Sequence, residues 1–167
     1  MTQLDLTTLS VRDVNAALHQ VSQDTFHLLN PGGAHALACG LNAEISVTVE
    51  GHAGYYCAGM NKHASVTVTG NAGTGCAENI MSGEVHVRGD MSQSLAASGH
   101  GGLVVVERGL TVRVVEVDQL VVVVVHTIVA GVDPVAGGIV LERRFLGAVR
   151  VRHIGPSVPV VVLTVGA

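Results

Sequence analysis

The fold of this chain is indicated by three adjacent 19-residue blocks that align without gaps: SVTVEGHAGYYCAGMNKHA (46–64), SVTVTGNAGTGCAENIMSG (65–83) and EVHVRGDMSQSLAASGHGG (84–102). In the first five residues of each block, polar and apolar side chains alternate, which is typical of a strand with one buried face. A fixed period with matching residues at matching positions is the mark of a repeat architecture. The blocks therefore predict a stack of similar structural units.

Two columns of valine and one of glycine run through the repeat at the 19-residue spacing. The valines are Val47, Val66, Val85 and Val104 in the first column and Val49, Val68, Val87 and Val106 in the second. Alternation should point both columns into the interior, where each valine stacks on the next. The glycines that follow the strands are Gly32, Gly51, Gly70 and Gly89. They let the chain turn where a positive φ or a close backbone approach is required. Leu28 is assigned to the first valine column, one period before Val47.

One block cannot bury its own apolar face, whereas a stack of blocks can. Short parallel strands about 4.8 Å apart, each followed by a turn and a return, would place valine on valine. Antiparallel hairpins do not require a fixed period, a propeller blade needs roughly 40 residues, and helical repeats lack the period-2 alternation. The sequence therefore predicts an all-β fold, a right-handed parallel β-helix with 19-residue coils.

A short helix is predicted before the coils, over VRDVNAALHQV (11–21), with Thr8 or Ser10 as its N-cap. Apolar residues recur on one face at spacings of three and four, namely Val11, Val14, Leu18 and Val21. We expect this helix to cover the first coil, because an exposed sheet edge invites unwanted pairing. The N-terminal segment with its capping helix is thus placed at 1–26 and the coils at 27–107.

The remaining segment, 108–167, is a valine-rich tail of different composition. Valine occurs 9 times in residues 1–103 and 23 times in residues 104–167. Basic residues number 3 against 9 acidic ones before Arg108, and 6 against 4 from there onward. Three interpretations stay open: a divergent cap, a separate hydrophobic module, or out-of-frame translation of GC-rich DNA. The abrupt change favours the last, and reading the gene in its other frames tests it.

The repeat itself is predicted to end at Glu107. The glycine due one residue later is replaced by Arg108, and the run VVVVV (121–125) does not alternate. Val123 and Val125 do fall in the valine columns. In so valine-rich a segment, this match is attributed to chance.

The overall composition excludes several classes of protein. The chain has 167 residues, which suits one domain, and its 48% hydrophobic content argues against disorder. A net charge of −4 with 13% charged residues argues against a nucleic-acid partner. The start MTQLDLTTLS has no signal-peptide pattern, and the apolar stretch 120–140 is interrupted by His126, Asp133 and Pro134, so no membrane association is expected. We expect a cytoplasmic protein.

Two aligned cysteines, Cys57 and Cys76, are the strongest candidates for chemistry. Metal sites need closer cysteine pairs and more ligands, so stacked thiols are better explained as small interior residues. A nucleophile–base pair, Cys57 with His63 or Cys76 with His52, stays open as a hypothesis. Three cysteines without paired spacing do not indicate a disulfide framework.

Other candidate residues are better explained by the repeat. His52, His63 and His100 lie on or near turns, and His86 occupies an outward strand position. GNAGTG, from Gly70, resembles a phosphate loop, but no Lys-Ser/Thr follows it. Glu78 and Glu84 have no counterpart for acid–base work. No catalytic, cofactor-binding or metal-binding residue is therefore assigned.

The run GHAGYYCAGMNKHASVTVTGNAGTGCAENIMSGEVHVRGD (51–90) resembles the GXGXG domain. This is the C-terminal β-helical domain of the glutamate synthase large subunit, found also in a subunit of formylmethanofuran dehydrogenase. NPGGAHALACGL (30–41) and LDLTTLSVRDVNAALH (4–19) resemble its free-standing form, a subunit of systems such as N-methylglutamate synthase (methylamine–glutamate N-methyltransferase). The resemblance covers about residues 3–107 and does not extend into the tail.

The resemblance implies a non-catalytic structural subunit of a glutamate-synthase-like complex. Its expected partners are a class II glutamine amidotransferase-like subunit and an FMN-binding synthase subunit. FMN and an iron–sulfur cluster are expected on a partner, and no cofactor on this chain. Alternatives are a subunit of a formylmethanofuran-dehydrogenase-like complex, an independent enzyme that uses a turn cysteine or histidine, and a truncated, frame-disrupted relic.

Overall fold

The strands of this protein form one parallel sheet that follows the order of the chain. The computed structural model describes residues 1–20, 23–108, 121–126 and 161–165. Its elements are β1 (Thr2–Asp5), α1 (Val11–His19), β2 (Thr25–Leu29), β3 (Ser46–Glu50), β4 (Ser65–Val68), β5 (Glu84–Asp90), β6 (Gly102–Arg108), β7 (Val121–His126) and β8 (Val161–Val165). Each strand pairs in parallel with the next, from β1 to β8. This confirms the predicted parallel β-helix.

The 19-residue period is the register of the central strands. Val47 lies beside Val66, Val66 beside Val85, and Val85 beside Val104. The second valine column is paired in the same way, and both columns are buried. The valines therefore form one wall of a narrow interior.

Alanine, cysteine and leucine side chains form another wall of the interior. Two buried columns run along it: Leu37, Cys57, Cys76 and Leu95 in one, and Ala38, Ala58, Ala77 and Ala96 in the other. Backbone bonds between coils hold these residues in line, with the Ala77 amide donating to Cys57 O at 2.8 Å. A coil this narrow has little room for aromatic rings, which accounts for the low aromatic content of the sequence.

The first coil is longer than the others, and here the sequence alignment was wrong. Leu28 lies beside Val49, in the second valine column, and Phe26 takes the position beside Val47. The register between β2 and β3 is therefore 21 residues, compared with 19 between β3 and β4. In the turn that follows, the Ala58 amide donates to Leu37 O, 21 residues earlier, whereas the corresponding bond from the Ala77 amide to Cys57 O joins residues 20 apart. One extra residue lies before Leu37, and another lies between that turn and β3. A fixed 19-residue period could not detect either insertion.

The N-terminal segment contains the predicted helix and one strand that was not predicted. Ser10, and not Thr8, is the N-cap of α1: its side chain accepts from the Asp13 amide, and Asp13 returns a bond in a capping box. Val14 and Leu18 are buried, as expected for the face that covers the first coil, while Val21 lies outside the described residues. β1, which pairs with β2, was missed because TQLD offers a single apolar residue.

The strand column continues beyond Glu107. β7 pairs with β6 so that Val123 lies beside Val104 and Val125 beside Val106, and β8 pairs with β7. Strand pairing at the 19-residue spacing therefore continues past Glu107, where the repeat was predicted to end. The turns of the tail, and with them the out-of-frame hypothesis, fall outside the described residues. The division of the chain at 107 stays a prediction.

No helix in the described part of the chain has the length and apolar character that a membrane span requires.

Candidate functional site

Each coil contains a turn in which every second residue has a left-handed backbone. Three such residues occur in each of four coils, with φ between +50° and +73°: Ala36, Ala38, Gly40; Tyr56, Ala58, Met60; Gly75, Ala77, Asn79; Ser94, Ala96, Ser98. This conformation costs a residue other than glycine roughly 1–2 kcal/mol, so other interactions must stabilise it. Backbone bonds between coils do so: the Ala36 amide donates to Tyr55 O at 2.7 Å and the Tyr56 amide to Thr74 O at 2.9 Å.

We call the surface made by these turns the turn face: residues 35–40, 55–60, 74–79 and 93–98. Its backbone is fixed from coil to coil in the same way as the strands are. Side chains on it are therefore presented at fixed spacings along the stack.

Large apolar side chains are exposed on and next to the turn face. Tyr55, Tyr56, Met60 and Met81 are 53%, 51%, 56% and 44% exposed. The His35 ring stacks on the Tyr55 ring with centroids 4.6 Å apart and planes 13° apart. We call Tyr55, Tyr56, Met60 and Met81 the aromatic–methionine group. Exposed tyrosine and methionine are enriched at protein interfaces, so this group is the candidate functional site.

Two glycines make room for the tyrosine rings. A Cβ on Gly73 would lie 2.9 Å from Tyr55 Cδ1, and a Cβ on Gly75 would lie 2.8 Å from Tyr56 Cδ1. Both rings therefore reach onto the following coil. The aromatic–methionine group was not predicted from the sequence, although the pair Tyr55–Tyr56, which contains both tyrosines of the chain, was the available signal.

The four predicted turn glycines meet two different requirements. Gly32 and Gly51 have positive φ, at +55° and +132°. Gly70 and Gly89 do not, but a Cβ on Gly70 would lie 2.7 Å from Gly51 C, and one on Gly89 would lie 2.6 Å from Gly70 C. At these two positions glycine is needed because neighbouring coils approach closely.

Side-chain acceptors lie over these glycines and join successive coils. His52 Nδ1 accepts from the Asn71 amide at 2.9 Å, and Asn71 Oδ1 accepts from the Asp90 amide at 2.9 Å. His35 Nδ1 accepts from the Tyr55 amide, also at 2.9 Å. We call these three bonds the acceptor ladder. His35 and His52 therefore have a structural role, because each joins two coils.

The cysteines are structural thiols in this geometry. Cys57 and Cys76 are fully buried and stand in adjacent coils between Leu37 and Leu95. The hydrogen bond with Cys76 and the burial of the thiol raise the pKa of Cys57 well above its ordinary value. A raised thiol pKa disfavours the thiolate, which is the nucleophilic form. All three cysteines are free.

Cys39 is the most accessible of the three thiols. Its Sγ donates to the Tyr56 carbonyl at 2.7 Å, and burial raises its pKa to about 11. This thiol therefore also stays protonated at neutral pH.

The hypothetical nucleophile–base pairs are not brought together. Cys57 is inside the coil, whereas His63 is exposed with φ +89°. His52 Nδ1 accepts from the Asn71 amide, and the described residues show no hydrogen bond between His52 and Cys76. The second hypothetical pair is therefore not hydrogen-bonded either.

The remaining candidates take ordinary places in the coils. His86 Nε2 lies 2.9 Å from Glu107 Oε1 on the outer face of the sheet, as His27 Nδ1 lies 2.7 Å from Glu50 Oε1. The segment after Gly70 continues into a turn and β5, not into a helix. Glu78 lies in a turn and Glu84 begins β5. Within residues 1–20, 23–108 and the two later strands, no group of three or more His, Cys, Asp or Glu is placed to bind a metal ion.

Comparison with known proteins gives one local similarity. Protein GlxC of Rhizobium meliloti (strain 1021) is 42% identical over 62 residues, which cover 35% of this chain and 27% of that protein. The chain thus matches about a quarter of the length of this curated relative. No protein-family model matches the chain, and no solved structure matches it significantly.

Proposed function

We propose that this chain is a non-catalytic structural subunit of a glutamate-synthase-like complex. In this role it positions a class II glutamine amidotransferase-like subunit and an FMN-binding synthase subunit in the cytoplasm. In this proposal FMN and an iron–sulfur cluster are bound by the partner, and this chain provides a rigid surface on which the two partner subunits dock.

The observation that carries the proposal is the aromatic–methionine group on a rigid surface. Tyr56 and Met60 are more than half exposed, although both occupy left-handed positions that the chain fills elsewhere with Gly75, Asn79 and serine. Large apolar side chains at strained, exposed positions add nothing to the core of the coil. They are explained if another protein covers them.

Two similarities support the choice of complex. The resemblance of residues 51–90 to the GXGXG domain provides the class of complex and the partners. The partial similarity to Protein GlxC agrees only loosely with a glutamate-synthase-related subunit, because it covers 27% of that protein. The partners and the cofactors are therefore parts of the proposal.

Co-purification tests the assignment. The full chain, tagged and co-expressed with amidotransferase-like and FMN-binding synthase-like subunits from the same organism, should retain both partners through affinity and size-exclusion steps. Flavin absorbance should elute with the complex and be absent from the chain expressed alone. A chain that elutes by itself in the presence of both partners would overturn the proposal.

Substitutions copied from other coils test the surface. Tyr56→Ser introduces the residue found at the equivalent Ser94, and Met60→Asn introduces the residue found at Asn79, so both should fold. Together they should weaken partner binding at least tenfold, since buried aromatic residues dominate interface energies. Ser65→Ala, on the exposed outer side of β4, is the matched control and should bind as the wild type does.

A further inference from the structure

Two imidazoles serve as fixed hydrogen-bond acceptors between coils. His35 Nδ1 accepts from the Tyr55 amide and His52 Nδ1 from the Asn71 amide, each at 2.9 Å. A ring nitrogen accepts a bond only when it carries no proton, so both rings are held as the neutral form with the proton on Nε2. Both side chains are exposed, so protons from solvent reach them.

We propose that His35 and His52 form an acid-sensitive latch between the first three coils. Protonation would place an N–H of each ring against a backbone N–H, and both bonds of the acceptor ladder would be lost. The Tyr55 amide is released by the first event, and the Asn71 amide by the second. Acid therefore loosens these corners and leaves the valine columns paired.

The groups that face the two rings are backbone atoms and one aromatic ring. His35 faces the carbonyl of Gly33, the backbone at Gly54 and the ring of Tyr55. His52 faces the backbone at Gly70 and Asn71, and no described carboxylate is bonded to either ring. The nearest charged member of the ladder is Asp90, one coil beyond Asn71, whose backbone amide bonds to Asn71 Oδ1.

The ladder contains its own control. Asn71 stands one period after His52 and performs the same task with an amide oxygen that does not titrate. On the outer face of the sheet, His27 and His86 instead lie beside the carboxylates of Glu50 and Glu107. The bonds at His35 and His52 require a neutral ring, so the stabilisation they give is present at neutral pH and is lost when acid protonates the rings.

Hydrogen exchange at Tyr55 and Asn71 tests the latch in the full chain. Between pH 7.5 and 5.5, after correction for intrinsic exchange, protection of both amides should fall roughly five- to tenfold, the size expected for one lost hydrogen bond. In the double variant His35→Asn/His52→Asn, protection should not depend on pH. His63→Asn, which changes an exposed histidine outside the ladder, should behave as the wild type does.

Two results would overturn the latch: equal pH dependence in the wild type and the double variant, or a protonated Nδ1 on either ring at pH 7.5. The second is read from nitrogen chemical shifts of the wild-type histidines, so it holds even if the double variant does not fold. Neither measurement involves a partner protein. The outcome is therefore independent of the proposed scaffold role.

Discussion

Asn15, in the middle of α1, donates a hydrogen bond from Nδ2 to the carbonyl of Ala36 at 2.8 Å. Its Oδ1 accepts from the amide of Ala38 at 2.9 Å. In later coils the amides that correspond to Ala38 donate to the preceding coil, as the Ala58 amide does to Leu37 O. For the Ala38 amide, the Asn15 side chain thus takes the place of a preceding coil at the N-terminal end of the stack, where terminal repeats need a cap.

Replacing Asn15 should destabilise the protein by about 1–3 kcal/mol, because two backbone groups of the first turn lose their partners. Asn15→Leu is the informative change, since leucine favours helix and the loss must come from the contact with the coil. Chemical denaturation measures the free energy of unfolding. Ala16→Leu, on the exposed side of the same helix, is the control, and an equal effect of both substitutions would contradict the capping role.

Two glycine substitutions can distinguish the stability cost of a steric clash from the cost of a positive φ. Gly70→Ala should cost about 2–3 kcal/mol, because its Cβ would lie 2.7 Å from the backbone of Gly51 and the coils would have to separate. Gly33→Ala should cost only about 1 kcal/mol, since that position has φ +75° but no atom within 4 Å of the new Cβ. Thermal and denaturant unfolding measure both losses of stability. A larger loss for Gly33→Ala than for Gly70→Ala would refute the importance of close approach at Gly70.

The valine columns should dominate the stability of the coils. Val66→Ala removes two buried methyl groups between Val47 and Val85 and should cost about 2–3 kcal/mol, including the cavity. Thr67→Ala, on the other side of the same strand, should cost well under 1 kcal/mol. Comparable losses at both positions would show that the sheet, not the interior, holds the coils together.

Alkaline pH should destabilise the protein partly through Cys39. Burial raises the pKa of this thiol from an ordinary value near 9 to about 11. The folded state therefore favours the neutral thiol, and its contribution is complete below pH 9 and lost as the pH rises towards 11. Unfolding free energies under reducing conditions at pH 8 and 10.5 should differ less in Cys39→Ala than in the wild type. An equal difference in Cys39→Ala and the wild type would argue against a contribution from this thiol.

The central coils could be predicted because one physical rule repeats in them. The alternation in SVTV and the glycine after it are local signals, and stacking aligns them into columns that a reader of the sequence can count. The first coil lacks this regularity. Two single-residue insertions move Leu28 from the first column to the second, and only the register with Val49 reveals the change.

The turn face could not be predicted for a different reason. Alanine, serine, methionine and tyrosine do not indicate a left-handed backbone, yet Ala58 and Met60 adopt it with their amides bonded to neighbouring coils. The roles of His52 and Asn15 also depend on contacts between coils. A single sequence shows the spacing of such residues and not which atom receives each bond.

Because β3, β4 and β5 pair at an exact 19-residue register, the height of this part of the stack is set by the number of 19-residue blocks. Residues 65–83 join onto 46–64 at one end and onto 84–102 at the other through the same valine contacts. A second copy of this block, inserted in tandem, would add one rung of about 4.8 Å and leave both original junctions intact. Proteins docked on opposite sides of the insertion would move apart by that single step, so the chain can serve as a molecular ruler.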